Sequence, residues 1–188
     1  MTDHSVDHGS FTLERTYTAP PQRVFAAWAN HAEKNRWFGE GDDFLTTTDV
    51  YALDFRVGGE ERLQGTLPSG RSFVYDARYL DIVDDARIIT SYDVCVDDRR
   101  ISVSLMTVEF NAVADGTRLV VTEQGAFLDG LDTNAQREEG ARDSLDKLGN
   151  VDLTSEAGSS FPAWALILII VLVLLVIGAV VFFVLRSR

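Results

Sequence analysis

Between Leu45 and Phe127 the chain alternates six strand-like runs with very short turns, and that rhythm leaves few folds open. The runs are Leu45 to Arg56, Glu60 to Leu67, Ser72 to Val83, Arg87 to Val96, Arg100 to Ala114 and Thr117 to Phe127. Gly58-Gly59, Pro68-Ser69-Gly70, Asp84-Asp85, Asp97-Asp98 and Asp115-Gly116 separate them, and these residue types supply turn geometry. Connections this short join only antiparallel neighbours, so the expected core is a six-strand meander. One run changes phase. Ile101, Val103 and Leu105 share one parity, then Met106, Val108 and Phe110 take the other. That pattern predicts a bulge or a strand buried on both faces, and either outcome fits a strongly curled sheet.

The segments around the meander read as one strand and three helices. Phe11, Leu13 and Tyr17 alternate with Thr12, Glu14, Thr16 and Thr18, a strand with one apolar face. Pro20-Pro21 ends it and can open a helix, because proline is tolerated in the first turn. Val24, Phe25 and Trp28 follow at helical spacing. Asn30 with Glu33 resembles a capping box for a second short helix that runs to about Trp37, where Gly39 and Gly41 break it. At the far end, Thr133 to Leu148 forms a longer helix with Ala141, Leu145 and Leu148 on one face and Gly149-Asn150 as its stop. A curled sheet with an apolar concave face needs a cover, which this last helix supplies. The expected class is α+β.

Outside that domain the sequence predicts a tail, a linker and a membrane span. Residues 1 to 10, MTDHSVDHGS, read as a disordered tail and not as a signal peptide, being polar and acidic. Residues 152 to 162 read as a small, polar linker. Residues 163 to 185 form one uninterrupted apolar run, long enough as a helix of about 31 to 35 Å to cross a hydrocarbon core of about 30 Å, and residues 186 to 188 follow as a short tail. Trp164 is placed as an interfacial anchor. The expectation is therefore a single-pass protein, anchored through its C-terminal segment, with the lipid bilayer as a partner. Arg186 and Arg188 favour the opposite orientation by the positive-inside rule, but moving a three-residue tail is far easier than exporting a folded domain. The domain, at 11 to 151, is thus expected to face the cytoplasm.

Composition excludes some functions. Residues 1 to 162 hold all 29 acidic groups and 15 of the 17 basic ones, a formal charge of −14. No basic stripe exists for phosphate, so nucleic acid is not an expected partner. Cys95 is the only cysteine, which leaves no intrachain disulfide and no cysteine-built zinc site.

Five segments carry a family resemblance: Arg15 to Trp28 (RTYTAPPQRVFAAW), Asn30 to Gly39 (NHAEKNRWFG), Asp54 to Gly59 (DFRVGG), Gln124 to Gly130 (QGAFLDG) and Arg137 to Leu148 (REEGARDSLDKL). Their order resembles the helix-grip superfamily of START, pollen-allergen and polyketide-cyclase domains (SRPBCC). Within it, the chain most resembles the family named after the activator of the heat-shock-protein-90 ATPase. Ala141 stands where many members have Trp or Thr, and the apolar run is outside the family pattern. The resemblance implies a cavity between the long helix and the sheet that often takes apolar ligands; the ligand itself does not follow from a fold.

The sequence holds no nucleophile elbow, no H-E-x-x-H pair and no phosphate loop. His4 and His8 are spaced for a metal on a helix but fall in the expected tail, and His31 has no nearby partner ligand. The acidic pairs at 84–85 and 97–98 fall at turns, where solvation accounts for them. No catalytic residue, metal or cofactor is assigned. For the cavity, Trp37, Phe38, Phe55, Tyr75, Tyr92 and Met106 are the candidates, each equally suited to ordinary core packing. The expected function is binding of an apolar small molecule, or of a protein at the membrane surface. A cyclase-like or hydrolase-like enzyme and a co-chaperone-like ATPase activator are the alternatives.

Overall fold

The structure, a computed structural model, describes residues 4–39 and 44–153. Strand β1 (Val6–Tyr17) leads into helices α1 (Pro21–Ala29) and α2 (His31–Lys34) and a π-helical turn at Asn35–Gly39. Then follow β2 (Thr47–Leu53), β3 (Glu60–Thr66), β4 (Ser72–Val83), β5 (Arg87–Val96), β6 (Arg99–Val113) and β7 (Gly116–Leu128), and finally α3 (Asn134–Gly149). Local chemistry sets these boundaries. Pro21 occupies the first turn of α1. The Asn30 side chain accepts from the Glu33 amide and caps α2. Glu33 does not return the bond as a capping box would: the Asn30 backbone amide donates to the Ala26 carbonyl, and the Glu33 carboxylate accepts from Arg23 at 2.6 Å. Thr133 caps α3 by accepting from the Gln136 amide.

The turns use the residues expected of them. Asp97 and Asp98 both take positive φ, 49° and 59°, which is the backbone of a tight two-residue hairpin between β5 and β6. Asp97 also accepts from the Ser72 amide and from Arg71, holding the turn against β4. At Gly116, φ is 142° and an added Cβ would collide with the Tyr17 carbonyl, so the β6–β7 turn requires glycine.

All seven strands form one antiparallel sheet in the order β1-β7-β6-β5-β4-β3-β2. The meander is as expected in sequence, but the strongly curled sheet is not. β1 adds to the free edge of β7 over its whole length, from Val6 opposite Leu128 to Tyr17 opposite Thr117. That places β1 and β2 at opposite margins, unpaired with each other, and the sheet is open. The strand also begins at Val6, inside the segment read as a tail, because the backbone of β7 provides partners that residues 6 to 10 do not advertise in their side chains.

The phase change in β6 has two parts: a bulge at Ile101 against β5, and an inward face beyond it that is polar before it is apolar. Pairing with β7 runs without a break from Ser102 to Val113, and the irregularity with β5 falls at Val94/Cys95, before the phase change. Ser102, Ser104, Val108 and Phe110 are buried, whereas Val103 and Leu105 are 44% and 39% exposed. The inward face is continuous. It changes from polar to apolar along the strand; Val103 and Leu105 point outward, while Ile101, the residue skipped at the irregularity with β5, packs against the inner cluster.

No helix among the described residues is long and apolar enough to cross a membrane. The longest, α3, has 16 residues, rises about 24 Å and is strongly charged. The expected span at 163–185 lies outside the described residues. The single-pass reading, with the bilayer as partner and a domain held at the cytoplasmic face, therefore finds no support in the structure and is set aside.

The core lies on one face of the sheet. α1 contributes Val24, Phe25, Ala27 and Trp28, and α3 contributes Leu145 and Leu148, which pack on Phe11, Leu13, Tyr79, Ile88, Val108, Phe110, Leu119 and Val121. A second cluster, Leu45, Leu63, Phe73, Tyr75, Ala77, Tyr92, Val94 and Val96, covers the β3–β5 side. No α3 residue belongs to this second cluster.

Candidate ligand-binding cavity

The large residues of α3 are placed unevenly, and this leaves a space. Leu145 and Leu148, in its second half, are buried against the sheet. Toward its middle, the half-buried Ala141 and Ser144 border the same side, with the exposed Gly140 beside them. Opposite these small residues lies a cavity of about 680 Å³ bounded by the sheet, the π-helical turn and α3. Its size falls in the range of roughly 300–1,000 Å³ typical of small-molecule sites.

One wall is aromatic. Trp37 and Phe38 have ring centroids 6.0 Å apart, Phe38 and Tyr75 5.1 Å, and Tyr75 and Tyr92 4.9 Å, in edge-on and tilted contacts. Trp37 is fixed by donating its indole N–H to the Ala27 carbonyl at 3.0 Å. Phe44, Leu45, Leu63, Phe73, Val94 and Met106 extend the apolar lining.

The polar end is built by Arg137, which reaches from α3 to the sheet. Its guanidinium pairs with Asp132, donates to Ser102 Oγ at 2.5 Å, and lies 5.6 Å over the Tyr92 ring with a longer contact of 3.4 Å to the Tyr92 hydroxyl. Asp132 is itself held by the Thr133 amide at 2.8 Å. Burial works against the charge on Arg137, but Tyr92 and Asp132 outweigh it and hold its pKa above the ordinary value.

Beside this pair sits Glu123, 2% exposed and facing the cavity from β7. Its Oε1 is buried without a protein hydrogen-bond partner, and so is the neighbouring Ser104 Oγ. Burial pushes the Glu123 carboxyl above the usual carboxylate range, against the opposing pull of Tyr92, Arg137 and Ser104.

A second buried charge lies behind the aromatic wall, and here every partner is present. Lys34 Nζ donates to Glu61 Oε2 at 2.6 Å and contacts the Tyr79 hydroxyl at 3.2 Å. Tyr79 donates to Glu61 Oε2 at 2.7 Å and Tyr51 to Oε1 at 3.0 Å. The ammonium also stands 5.2 Å from the Phe38 ring centre and 5.3 Å from that of Trp28. Burial, and then the adjacent Glu61, hold the Tyr79 and Tyr51 phenols well above their ordinary pKa, so both remain donors.

Of the six residues proposed from sequence, Trp37, Phe38, Tyr75, Tyr92 and Met106 line the cavity. Phe55 is not among its lining; it packs edge-on against Phe25 at 5.7 Å and Tyr79 at 5.0 Å in the core. Sequence reasoning missed Glu123, Arg137 and Asp132. The signal for Glu123 was its parity: it falls in step with Leu119, Val121 and Phe127, all inward-facing. Arg137 likewise falls four residues before Ala141 on the face that carries Leu145. Among the described residues no three His, Cys, Asp or Glu side chains gather as a metal site. Cys95 is half-buried, with burial and Asp93 raising its pKa, which makes it a poor nucleophile.

A sheet gripped by a long helix over an internal cavity defines the helix-grip class. Residues 18–151 match the family described as activator of Hsp90 ATPase homolog 1-like protein, and the chain belongs to that family. It is similar to an uncharacterized protein from Rhizobium leguminosarum, at 42% identity and a TM-score of 0.75 over 79% of this chain and 97% of that one. The Mll3558 protein from Rhizobium loti is 45% identical, with a TM-score of 0.72 over 78% of this chain and 99% of that one. The protein CV1439 from Chromobacterium violaceum shares the fold at 24% identity and a TM-score of 0.62, covering 75% of this chain and 94% of that one. No curated protein matches the chain.

Proposed function

We propose that the chain is a small-molecule-binding protein that takes a mostly apolar ligand into the cavity between α3 and the sheet. The observation that carries this reading is the cavity itself, about 680 Å³ of space with an aromatic wall, left open because α3 presents the small Ala141 and Ser144 where a packed core would have large side chains. Interiors are otherwise close-packed, with voids rarely larger than a water molecule. Trp37, Phe38, Tyr75, Tyr92 and Met106 supply the apolar contact in this reading.

A fluorescence titration of the full chain with Nile red, a neutral apolar dye, tests it. Saturable binding with a blue-shifted emission is expected. Ala141→Trp should fill the space and weaken binding by about tenfold or more, the equivalent of about 1.4 kcal/mol. Equal affinity in a folded Ala141→Trp variant would show that the dye binds elsewhere and would remove the reading's support.

A further inference from the structure

The four ionisable side chains inside the cavity are not equally provided for. Lys34 is neutralised by Glu61 and Arg137 by Asp132, each in direct contact. Glu123 has no cation in such contact; it borders the cavity beside Tyr92 and Ser104, and its buried Oε1 has no protein hydrogen-bond partner. A buried acceptor without a partner is costly, and native proteins rarely keep one without a use for it. At the mouth, Asp143, Asp146 and Lys147 also border the space, and Asp146 is engaged by Arg15 at 2.8 Å. The inner charge balance therefore has one acceptor to spare and no free cation among these pairs.

Resting on the cavity reading above, we infer that Glu123 is the polar anchor of the site, and that the ligand is an apolar molecule bearing a hydrogen-bond donor, a hydroxyl or an amine. The donor reaches the Glu123 carboxylate, turned so that its unpartnered oxygen meets the ligand, while the apolar body lies against Tyr75, Tyr92 and Met106. A carboxylate ligand is disfavoured, since it would place an anion beside Glu123 while the guanidinium of Arg137 is already committed to Asp132 and Ser102. Selection by an unpaired buried group is strong, because an analogue without the donor leaves that group unsatisfied.

The test compares four naphthalenes of similar size by fluorescence titration: 2-methylnaphthalene, 2-naphthalenemethanol, 2-(aminomethyl)naphthalene and 2-naphthoate. The full chain is used, as wild type, Glu123→Leu and Glu123→Gln. Wild type should bind the alcohol or the amine about tenfold or more tighter than 2-methylnaphthalene, as expected for a hydrogen bond to a charged group. Whichever of the two binds tighter identifies a neutral or a cationic donor. Glu123→Leu should abolish the preference and retain 2-methylnaphthalene; Glu123→Gln, which keeps an acceptor of the same shape, should retain part of it. Equal binding of the alcohol, the amine and 2-methylnaphthalene to wild type would overturn the anchor while leaving the cavity reading intact. So would a preference that survives Glu123→Leu, or tightest binding of 2-naphthoate. If no naphthalene binds any folded variant, the cavity reading itself fails, and the anchor with it.

Discussion

Replacing Glu61 by leucine is expected to cost about 3–5 kcal/mol of stability, the range for breaking a buried ion pair by removing one partner. The side chains of Lys34 and Glu61 are 4% and 0% exposed, so the ammonium left behind could not reach water without disturbing the core. Two phenols lose their acceptor at the same time, since Tyr51 and Tyr79 both donate to this carboxylate. For a chain of this length each kcal/mol moves the midpoint by roughly 2–4 °C, so thermal unfolding followed by circular dichroism should shift down by about 6–20 °C. The double variant Lys34→Met/Glu61→Leu should recover most of the loss, because it removes both charges and leaves the aromatic cage of Trp28 and Phe38 an apolar side chain to enclose. A single variant that loses less than about 1 kcal/mol would mean that the pair does not carry the charge balance described here.

Glu123→Leu should act in the opposite direction and raise stability by about 1–3 kcal/mol near neutral pH, since it removes a buried acceptor with an unsatisfied oxygen. The effect has a pH signature. Burial raises the carboxyl's pKa, so the folded chain holds this proton more tightly than the unfolded chain does. Where folding binds protons, stability falls as pH rises, from the ordinary carboxylate value up through the raised one. Arg137 and the Tyr92 and Ser104 hydroxyls face the group and oppose the shift, and Asp132 adds to it. The midpoint difference between Glu123→Leu and wild type should therefore be small at low pH and grow through that window. A destabilised variant, or a difference that does not vary with pH, would contradict the assignment of Glu123 as an unsatisfied acid.

These two glutamates mark how far the sequence could be read. Strand positions from Glu60 to Leu128 were legible because alternation and turn residues are local signals, and Asp97-Asp98 carried its own turn chemistry. The pairing of β1 with β7 joins residues a hundred or more positions apart and leaves no local trace, so neither the strand's start at Val6 nor the open sheet could be read from spacing. In the site, inward aromatic residues were recognisable, but pocket and core use the same side chains. Tyr92 and Phe55 look alike in sequence; only the packing of α1 against Phe55 and the place of Tyr92 in the cavity wall, under Arg137 of α3, separate them. Glu61 and Glu123 both stand at inward parity, and nothing local to either reveals that one is fully partnered and the other is not. The ammonium that pairs with Glu61 arrives from α2, and the guanidinium of Arg137, which stands on α3, is committed to Asp132; both elements are remote in the chain from the glutamates.

The central claim, that the space beneath α3 is a binding site, is tested most directly by locating a ligand in it. A crystal structure of the full chain with 2-bromonaphthalene, phased on the anomalous signal of bromine, gives the position without assumptions about affinity. The bromine is expected inside the cavity, within contact distance of Tyr92, Met106 and Ala141. Bromine found only on the outer face of the sheet, for example against the exposed Val103 and Leu105, with the space beneath α3 left empty, would contradict it.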